Sequence, residues 1–263
     1  VQRLRRLLRD PAARREEGVL VAEGVRVVEA ALGHGASVEA VYVAADGLGG
    51  PAVALVRAAR EAGVDVQVLA PGVMARIADA VTPQPVLATV RVAGCELEDV
   101  AAEVGSRPGG GLLVVAVDVR DPGNLGSLLR SAEALGAAGV VVSEGCVDFC
   151  NPKVVRASAG SLFSLPVSRG GPAPAVVASL RTRGFRVVAS LARGGRDPAL
   201  VDWSGAVALL VGNEAAGLPG DLAEAADEAV TVPLAGRAES LNVAVAGALC
   251  CYEAARRRAG TLQ

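Results

Sequence analysis

The chain has 263 residues, 52% of them hydrophobic but only 2% aromatic, so its core must be built from Val, Leu and Ala, in one large domain or two modest ones. A net charge of −2 gives no bulk sign of a nucleic-acid partner, and no apolar run reaches the roughly 18 residues that mark a membrane-spanning helix. Five cysteines without a paired framework point to a reducing cytoplasm rather than a disulfide scaffold.

The N-terminus reads as an Arg-rich helix rather than a basic-then-apolar leader. Arg3, Arg5, Arg6, Arg9, Arg14, Arg15 and Arg26 crowd this region against Asp10, Glu16, Glu17 and Glu23. That pattern fits a solvated amphipathic face or a phosphate-contacting one. The spacing then predicts a strand over 18–22, an amphipathic helix over 24–32, and a strand over 38–44 with turn chemistry after it. A helix over 51–62, a strand over 65–69, a helix over 72–80 and a strand over 86–92 complete a small α/β/α sandwich. The stretch 93–111 ends in Ser-Arg-Pro-Gly-Gly-Gly and reads as a linker or long loop.

From Leu112 the pattern changes to buried strands alternating with helices. Strands are predicted over 112–117, 140–143, 186–191, 207–211 and 229–232. Helices are predicted over 124–135, 154–159, 173–183, 221–226 and about 241–258. Continuous apolar strands between helices argue for a parallel sheet covered on both faces. The division is therefore residues 1–95, a linker over 96–111, and a second domain over 112–263.

Several chemistries are excluded. No G-x-G-x-x-G follows a predicted strand, which removes the usual basis for a nicotinamide-dependent dehydrogenase. Lys153 sits in no Walker A loop. His34, the only histidine, lies in the other segment from the polar loops that would have to complete a Ser-His-Asp triad. Cys146 and Cys150 have no second pair or histidine to complete a zinc site, so no metal is expected.

What remains is polar residues at the carboxyl ends of apolar strands, where open α/β sheets hold ligands. In helix 124–135, Leu125, Leu128, Leu129, Ala132 and Leu135 form an apolar stripe, with Arg130 on nearly the opposite face. Asn124 reads as an N-cap, Glu214 as a turn acid, and Ser240 as the N-cap of the final helix with Asn242 in its first turn. Each residue alone has a purely structural explanation. Together they imply one shared site.

Three blocks carry a resemblance: Asn124-Leu-Gly-Ser-Leu-Leu-Arg130, Leu210-Val-Gly-Asn-Glu-Ala-Ala-Gly217, and Val232-Pro-Leu through Glu239-Ser-Leu-Asn-Val-Ala-Val245. In this order and spacing they resemble the SpoU (TrmH-like) family of RNA ribose 2′-O-methyltransferases, within the SPOUT superfamily. Glu23-Gly24 followed by Val28-Glu29-Ala30 is similar to that family's L30e-like substrate-binding domain. The resemblance implies a C-terminal α/β trefoil-knot domain, where residue pattern alone gives an ordinary doubly wound sheet. It also implies S-adenosylmethionine as cofactor and 2′-O-methylation of RNA in the cytoplasm. The L30e-like extension favours 23S rRNA, with a tRNA ribose methyltransferase as the alternative, and both the antibiotic-resistance branch of the avilamycin and thiostrepton type and a housekeeping rRNA enzyme fit the resemblance.

The cofactor pocket carried over by the resemblance maps to Leu191, Ala192, Val211, Gly212, Val232, Leu234, Ser240 and Leu241. Gly212 is expected to allow close backbone approach. Arg130 takes the role of base or electrostatic clamp, with Asn124, Glu214, Ser240 and Asn242 orienting it and the sugar. Arg3, Arg6, Arg9, Arg15 and Arg26, with Arg130, are the implied RNA contacts. A homodimer through the methyltransferase domain is implied, with the final helix, Val243 to Tyr252, either its interface or intramolecular core. The alternative from another class is a non-catalytic RNA-binding module on the same fold, which need not bind the cofactor.

Overall fold

The structure, a computed structural model, describes residues 1–77, 84–92 and 95–261. Residues 78–80 of the helix predicted over 72–80, and residues 93–94 of the predicted linker, lie outside them. Two compact units form: Val1–Gly94 with Asp148–Ser164, and Cys95–Val147 with Leu165–Gln263.

The chain runs α1 (Gln2–Arg9), α2 (Pro11–Glu17), β1 (Val19–Glu23), α3 (Val25–Gly33), β2 (Val38–Ala44) and α4 (Pro51–Glu61). It continues with β3 (Asp65–Leu69), α5 (Val73–Ile77), β4 (Val86–Arg91), α6 (Leu97–Ser106), β5 (Leu112–Ala116) and α7 (Pro122–Ala134). Next come β6 (Gly139–Val142), α8 (Pro152–Ala157), β7 (Val167–Arg169), α9 (Ala173–Thr182) and β8 (Arg186–Ser190). The last elements are β9 (Val207–Val211), α10 (Gly220–Glu224), β10 (Glu228–Val230) and α11 (Val243–Thr261).

In the first unit the Arg-rich N-terminus is two helices, not one. Asp10 leaves the helical conformation, and its carboxylate caps α2 by accepting from the Ala12 N–H at 2.8 Å. Pro11 suits the first helical position because it has no N–H to leave unsatisfied. The sheet has the order β1-β4-β2-β3, with β4 antiparallel to both neighbours and β2 parallel to β3. Alternate strand residues Val19, Val21, Ala40 and Tyr42 pack with Leu4 and Leu7 of α1 and Ile77 of α5. This is the period-two burial of a sheet face.

Residues 148–164 belong to this unit, although the sequence assigned them to the second. A buried ion pair holds them. Arg14 Nη2 lies 3.1 Å from Asp148 Oδ2, both side chains are under a tenth exposed, and Arg14 Nη1 donates to the Leu7 carbonyl at 2.8 Å. Gly160 has φ +101, and a Cβ there would lie 2.4 Å from the Ala30 methyl, so only glycine fits.

In the second unit the predicted linker contains α6. Glu96 and Asp99 form a reciprocal capping box, and Val100, Ala101 and Val104 are buried in the core. The glycines mark only the exit from that helix. Gly110 has φ +75, and a Cβ on it would lie 2.1 Å from the Gly205 backbone. The sheet is parallel throughout, in the order β10-β8-β9-β5-β6-β7. The edge strand β7 has only three residues and was not predicted.

This order departs from a doubly wound sheet, in which β8 would neighbour β5. Here β9 lies against β5, and β8 lies outside it. The carboxyl ends of β10, β8, β9 and β5 therefore stand side by side. Helix α11 packs closely on α7, because Gly247 faces Leu128; a Cβ there would meet Leu128 Cδ1 at 2.6 Å. Among the described residues no helix is long and apolar enough to cross a membrane.

Removing one partner of a buried pair strands the other charge. Asp148→Ala is therefore expected to lower unfolding free energy by about 3 kcal/mol in urea titration. Arg14→Leu combined with Asp148→Leu should recover part of that loss.

Candidate active site

The site is built on two helix starts and one strand-end turn, all within the second unit. Asp121, not Asn124, caps α7: its Oδ1 accepts from the Asn124 N–H at 2.8 Å, with Pro122 in the first turn. Asn124 is thereby freed from capping, and its Nδ2 donates to Glu214 Oε1 at 3.0 Å. Similarly Asn242, not Ser240, caps α11, its Oδ1 accepting from the N–H groups of Ala244 at 2.9 Å and Val245 at 3.3 Å. That leaves Asn242 Nδ2 to donate to Asn124 Oδ1 at 2.7 Å. The donor direction is fixed throughout. The helix N–H groups claim the Asn242 oxygen, so its amide nitrogen must face Asn124, and Asn124 must turn its own nitrogen to a carboxylate.

Glu214 ends this chain. Its carboxylate also accepts from the backbone N–H groups of Asp121 at 3.1 Å and Arg120 at 3.4 Å. Partial burial pushes its carboxyl up. The Asn124 amide and these backbone donors outweigh that effect and hold it below the ordinary value of 4.5.

The turn carrying Glu214 is organised by Asn213, which sequence reasoning passed over. Asn213 Nδ2 donates to the Asp118 carbonyl at 2.8 Å, and its Oδ1 accepts from the N–H groups of Ala215 and Ala216. Its backbone pairs with Gly217 in both directions, at 2.9 and 3.0 Å. Gly212 is demanded by this turn: a Cβ there would lie 2.4 Å from the Gly217 backbone. The close approach expected of Gly212 is thus made to its own loop. Asp118, at φ +53, is one of two non-glycine residues in the left-handed region among the described residues. No sequence pattern marks that conformation.

Thr231 ties two strand-end loops together. Its hydroxyl donates to the Leu191 carbonyl at 3.0 Å and accepts from the Gly195 N–H at 2.9 Å. The loops after β8, β9 and β10 enclose a cavity of about 490 Å³. Leu191 and Ala192 line it from the first loop, Val211 and Gly212 from the second, and Val232, Leu234, Ser240 and Leu241 from the third. Glu214 lies on its wall, which puts the amide chain beside the cavity.

Arg130 stands apart from this group. It is exposed on α7 and makes no hydrogen bond or ion pair among the described residues, so Glu214 orients Asn124 and not Arg130. In the first unit Arg3 is paired with Glu17 and Glu39, and Arg6 with Glu16. Arg9 has a partner, whereas Arg15 and Arg26 are exposed with none among the described residues. Among the described residues no group of three His, Cys, Asp or Glu could hold a metal ion.

A parallel sheet whose strand-end loops line a cavity beside a fixed amide–carboxylate chain defines an α/β protein with a small-molecule site at its strand ends. Residues 111–252 match the SpoU rRNA Methylase family, and residues 1–88 match the MRM3-like substrate binding domain. The chain belongs to the SpoU rRNA methylase family. It is 35% identical over 193 residues, 73% of each chain, to the 23S rRNA (guanosine(2553)-2′-O)-methyltransferase RlmP of Bacillus subtilis. Its fold is similar to the AdoMet-bound rRNA methyltransferase of Sinorhizobium meliloti, with a TM-score of 0.82, 31% identity, and coverage of 97% of this chain and 93% of that one. It is also similar to the SpoU methyltransferase AviRb of Streptomyces viridochromogenes in complex with AdoMet, with a TM-score of 0.84, 33% identity, and coverage of 98% and 97%.

The Glu214 carboxylate anchors the amide chain most strongly while ionised, when both its oxygens are free to accept. Because its folded pKa is depressed, its contribution is complete above the ordinary value of 4.5 and is lost as pH falls through the lower folded value. The Asn124 side-chain amide resonance should shift with a midpoint below 4.5; a midpoint at or above that value contradicts the arrangement.

Proposed function

We propose that this chain transfers the methyl group of S-adenosylmethionine to a ribose 2′-hydroxyl of RNA, with 23S rRNA as the substrate. The observation that carries the reading is the Glu214–Asn124–Asn242 chain, drawn from three distant sequence blocks and set beside a cavity at the strand ends. The cavity suits the cofactor. Leu191, Val232, Leu234 and Leu241 offer apolar surface to an adenine, and the strand-end loops offer backbone donors and acceptors. When bound, S-adenosylmethionine supplies an electrophilic methyl carbon with a neutral thioether as leaving group.

The chain's own residues then position and stabilise. Asn124 and Asn242 are fixed in one orientation by their mutual hydrogen bond, Glu214 and the α11 cap, which leaves the second N–H of each amide to hold the sugar edge. Ser240 adds a hydroxyl at the cavity rim. A guanidinium with a pKa above about 12 is a poor base. Arg130 therefore acts as an electrostatic clamp on the neighbouring phosphate and on the oxygen that gains charge as its proton leaves.

Arg130 has no partner among the described residues, and a homodimer completes the site. What supports this is the outer face of α11, where Val245, Leu249 and Tyr252 lie at helical spacing and are 48%, 40% and 54% exposed. The other face of α11 packs on α7, so this helix is both core and candidate interface. The reading also threads the C-terminal segment into a trefoil knot; the exchanged order of β8 and β9 supports it. The first unit grips structured RNA; Arg15 and Arg26 are exposed without a partner among the described residues, whereas Arg3 and Arg6 are compensated by acids. Five unpaired cysteines fit a cytoplasmic enzyme.

Incubation with 23S rRNA and methyl-labelled cofactor should place label on a ribose 2′-oxygen. Label on a base, or none, would overturn the reading. Arg130→Ala should lower turnover by roughly a hundredfold, the scale of losing one transition-state donor, with cofactor affinity unchanged in calorimetry.

A further inference from the structure

A second cavity, of about 780 Å³, lies in the second unit at the opposite end of the parallel sheet. Gly109 and Gly110 line it just before β5 begins, Gly205 lines it just before β9 begins, and Arg256, Arg257 and Arg258 line it from the end of α11. Arg258 stands about 24 Å along α11 from Asn242, at roughly 1.5 Å per residue, so this cavity is remote from the amide chain. Its loops are tied in place. The Gly205 N–H donates to the Gly109 carbonyl at 3.2 Å, and the buried Trp203 Nε1 donates to the Pro198 carbonyl at 2.8 Å.

The cations here outnumber the carboxylates that serve them. Arg256 and Arg257 share Glu253, at 3.0 and 3.1 Å, and Arg257 also donates to the Ala199 carbonyl. Arg258 has no carboxylate at ion-pair distance among the described residues. It donates to the carbonyls of Gly205 at 2.8 Å and Gly109 at 3.4 Å, and its buried Nε has no partner among them. Asp202 is the one carboxylate on the cavity wall; it lies 3.9 Å from Arg186, which is already 3.1 Å from Glu228. Cations in a last helical turn ordinarily serve the helix's own carbonyls, whereas Arg258 reaches those of two other loops. Burial, and then the like charge of Arg186, push its guanidinium below the ordinary value. A half-buried cation without a counter-ion is costly, and an anionic ligand removes that cost.

We propose that this cavity binds a phosphate group, with Arg258 as its inner anchor and Arg256 and Arg257 at its mouth. Guanidinium forks match pairs of phosphate oxygens, and a charged acceptor is stronger than the neutral carbonyls that Arg258 now uses. Arg256 and Arg257 are 51% and 45% exposed, so both can turn from Glu253 to an incoming anion. Inorganic phosphate, a free nucleotide and the backbone of an RNA strand all present this group. The inference does not depend on the methyl-transfer reading, because it concerns the other end of the sheet.

Titration calorimetry of the full chain with inorganic phosphate, at constant ionic strength, reads the site directly. Saturable binding is expected, weakened about tenfold in Arg256→Gln and in Arg258→Gln, the scale of one charged hydrogen bond. Arg258→Lys should restore part of the loss. Glu253→Gln should tighten binding, since it releases two guanidinia, a gain that a merely structural cluster would not show. Arg256 is half exposed, so Arg256→Gln should melt with the parent protein even if Arg258→Gln loosens the loops. No saturable binding by the parent, or the parent's affinity in both Arg256→Gln and Glu253→Gln, would overturn the inference. Binding of a 23S rRNA fragment at several salt concentrations then identifies the source of the group. A logarithmic slope smaller by about one in Arg256→Gln assigns an RNA backbone phosphate; an unchanged slope assigns a free phosphate compound.

Discussion

Everything at the site depends on one hydrogen bond, from Asn242 Nδ2 to Asn124 Oδ1 at 2.7 Å. It joins the first turn of α7 to the cap of α11 across 118 residues of sequence, and it has only one possible direction. The helix N–H groups of Ala244 and Val245 claim the other end of the Asn242 amide, and Glu214 claims the other end of the Asn124 amide. A capping interaction worth about 1 kcal/mol in an ordinary helix thus acquires a second role. It ties the two amides to Glu214, whose carboxylate lies on the cavity wall.

That arrangement is available because of the sheet order. With β9 against β5 and β8 outside it, the loops after β8, β9 and β10 crowd one edge of the carboxyl face, next to the start of α7. The loops are short of regular structure and are held by side chains instead. Thr231 spans two of them, and Asn213 fastens the Glu214 turn to Asp118. Stiffness where a ligand must be oriented comes from these polar ties, since the core beneath is aliphatic and non-directional.

Much of this was legible in the sequence, and the failures have physical causes. Polar residues at the ends of apolar strands marked the site, and the eight pocket residues named from motif position line one cavity. The caps were misassigned. Ser, Asn and Asp compete for the same N–H groups, and local sequence does not say which one reaches them. Asp121 displaced Asn124 and Asn242 displaced Ser240, which changed what those side chains were free to do. Helix α6 was hidden by the glycines that follow it, although Glu96, Asp99, Val100 and Val104 carried a capping box and a helical period. Residues 148–164 could not have been assigned locally, because the Arg14–Asp148 pair spans 134 positions. The same holds for the N-terminal arginines. Their number suggested a phosphate face, but Arg3 and Arg6 are matched by acids that only folding brings close.

The most direct test of the central claim is a double-mutant cycle between Asn124 and Asn242, read as the rate of methyl transfer to 23S rRNA. If the two amides act as one unit, Asn124→Ala with Asn242→Ala will be no slower than the worse single variant, as for groups that function only together. If the two losses multiply, the amides act independently, and the chain that organises this account is not the device that positions the reaction.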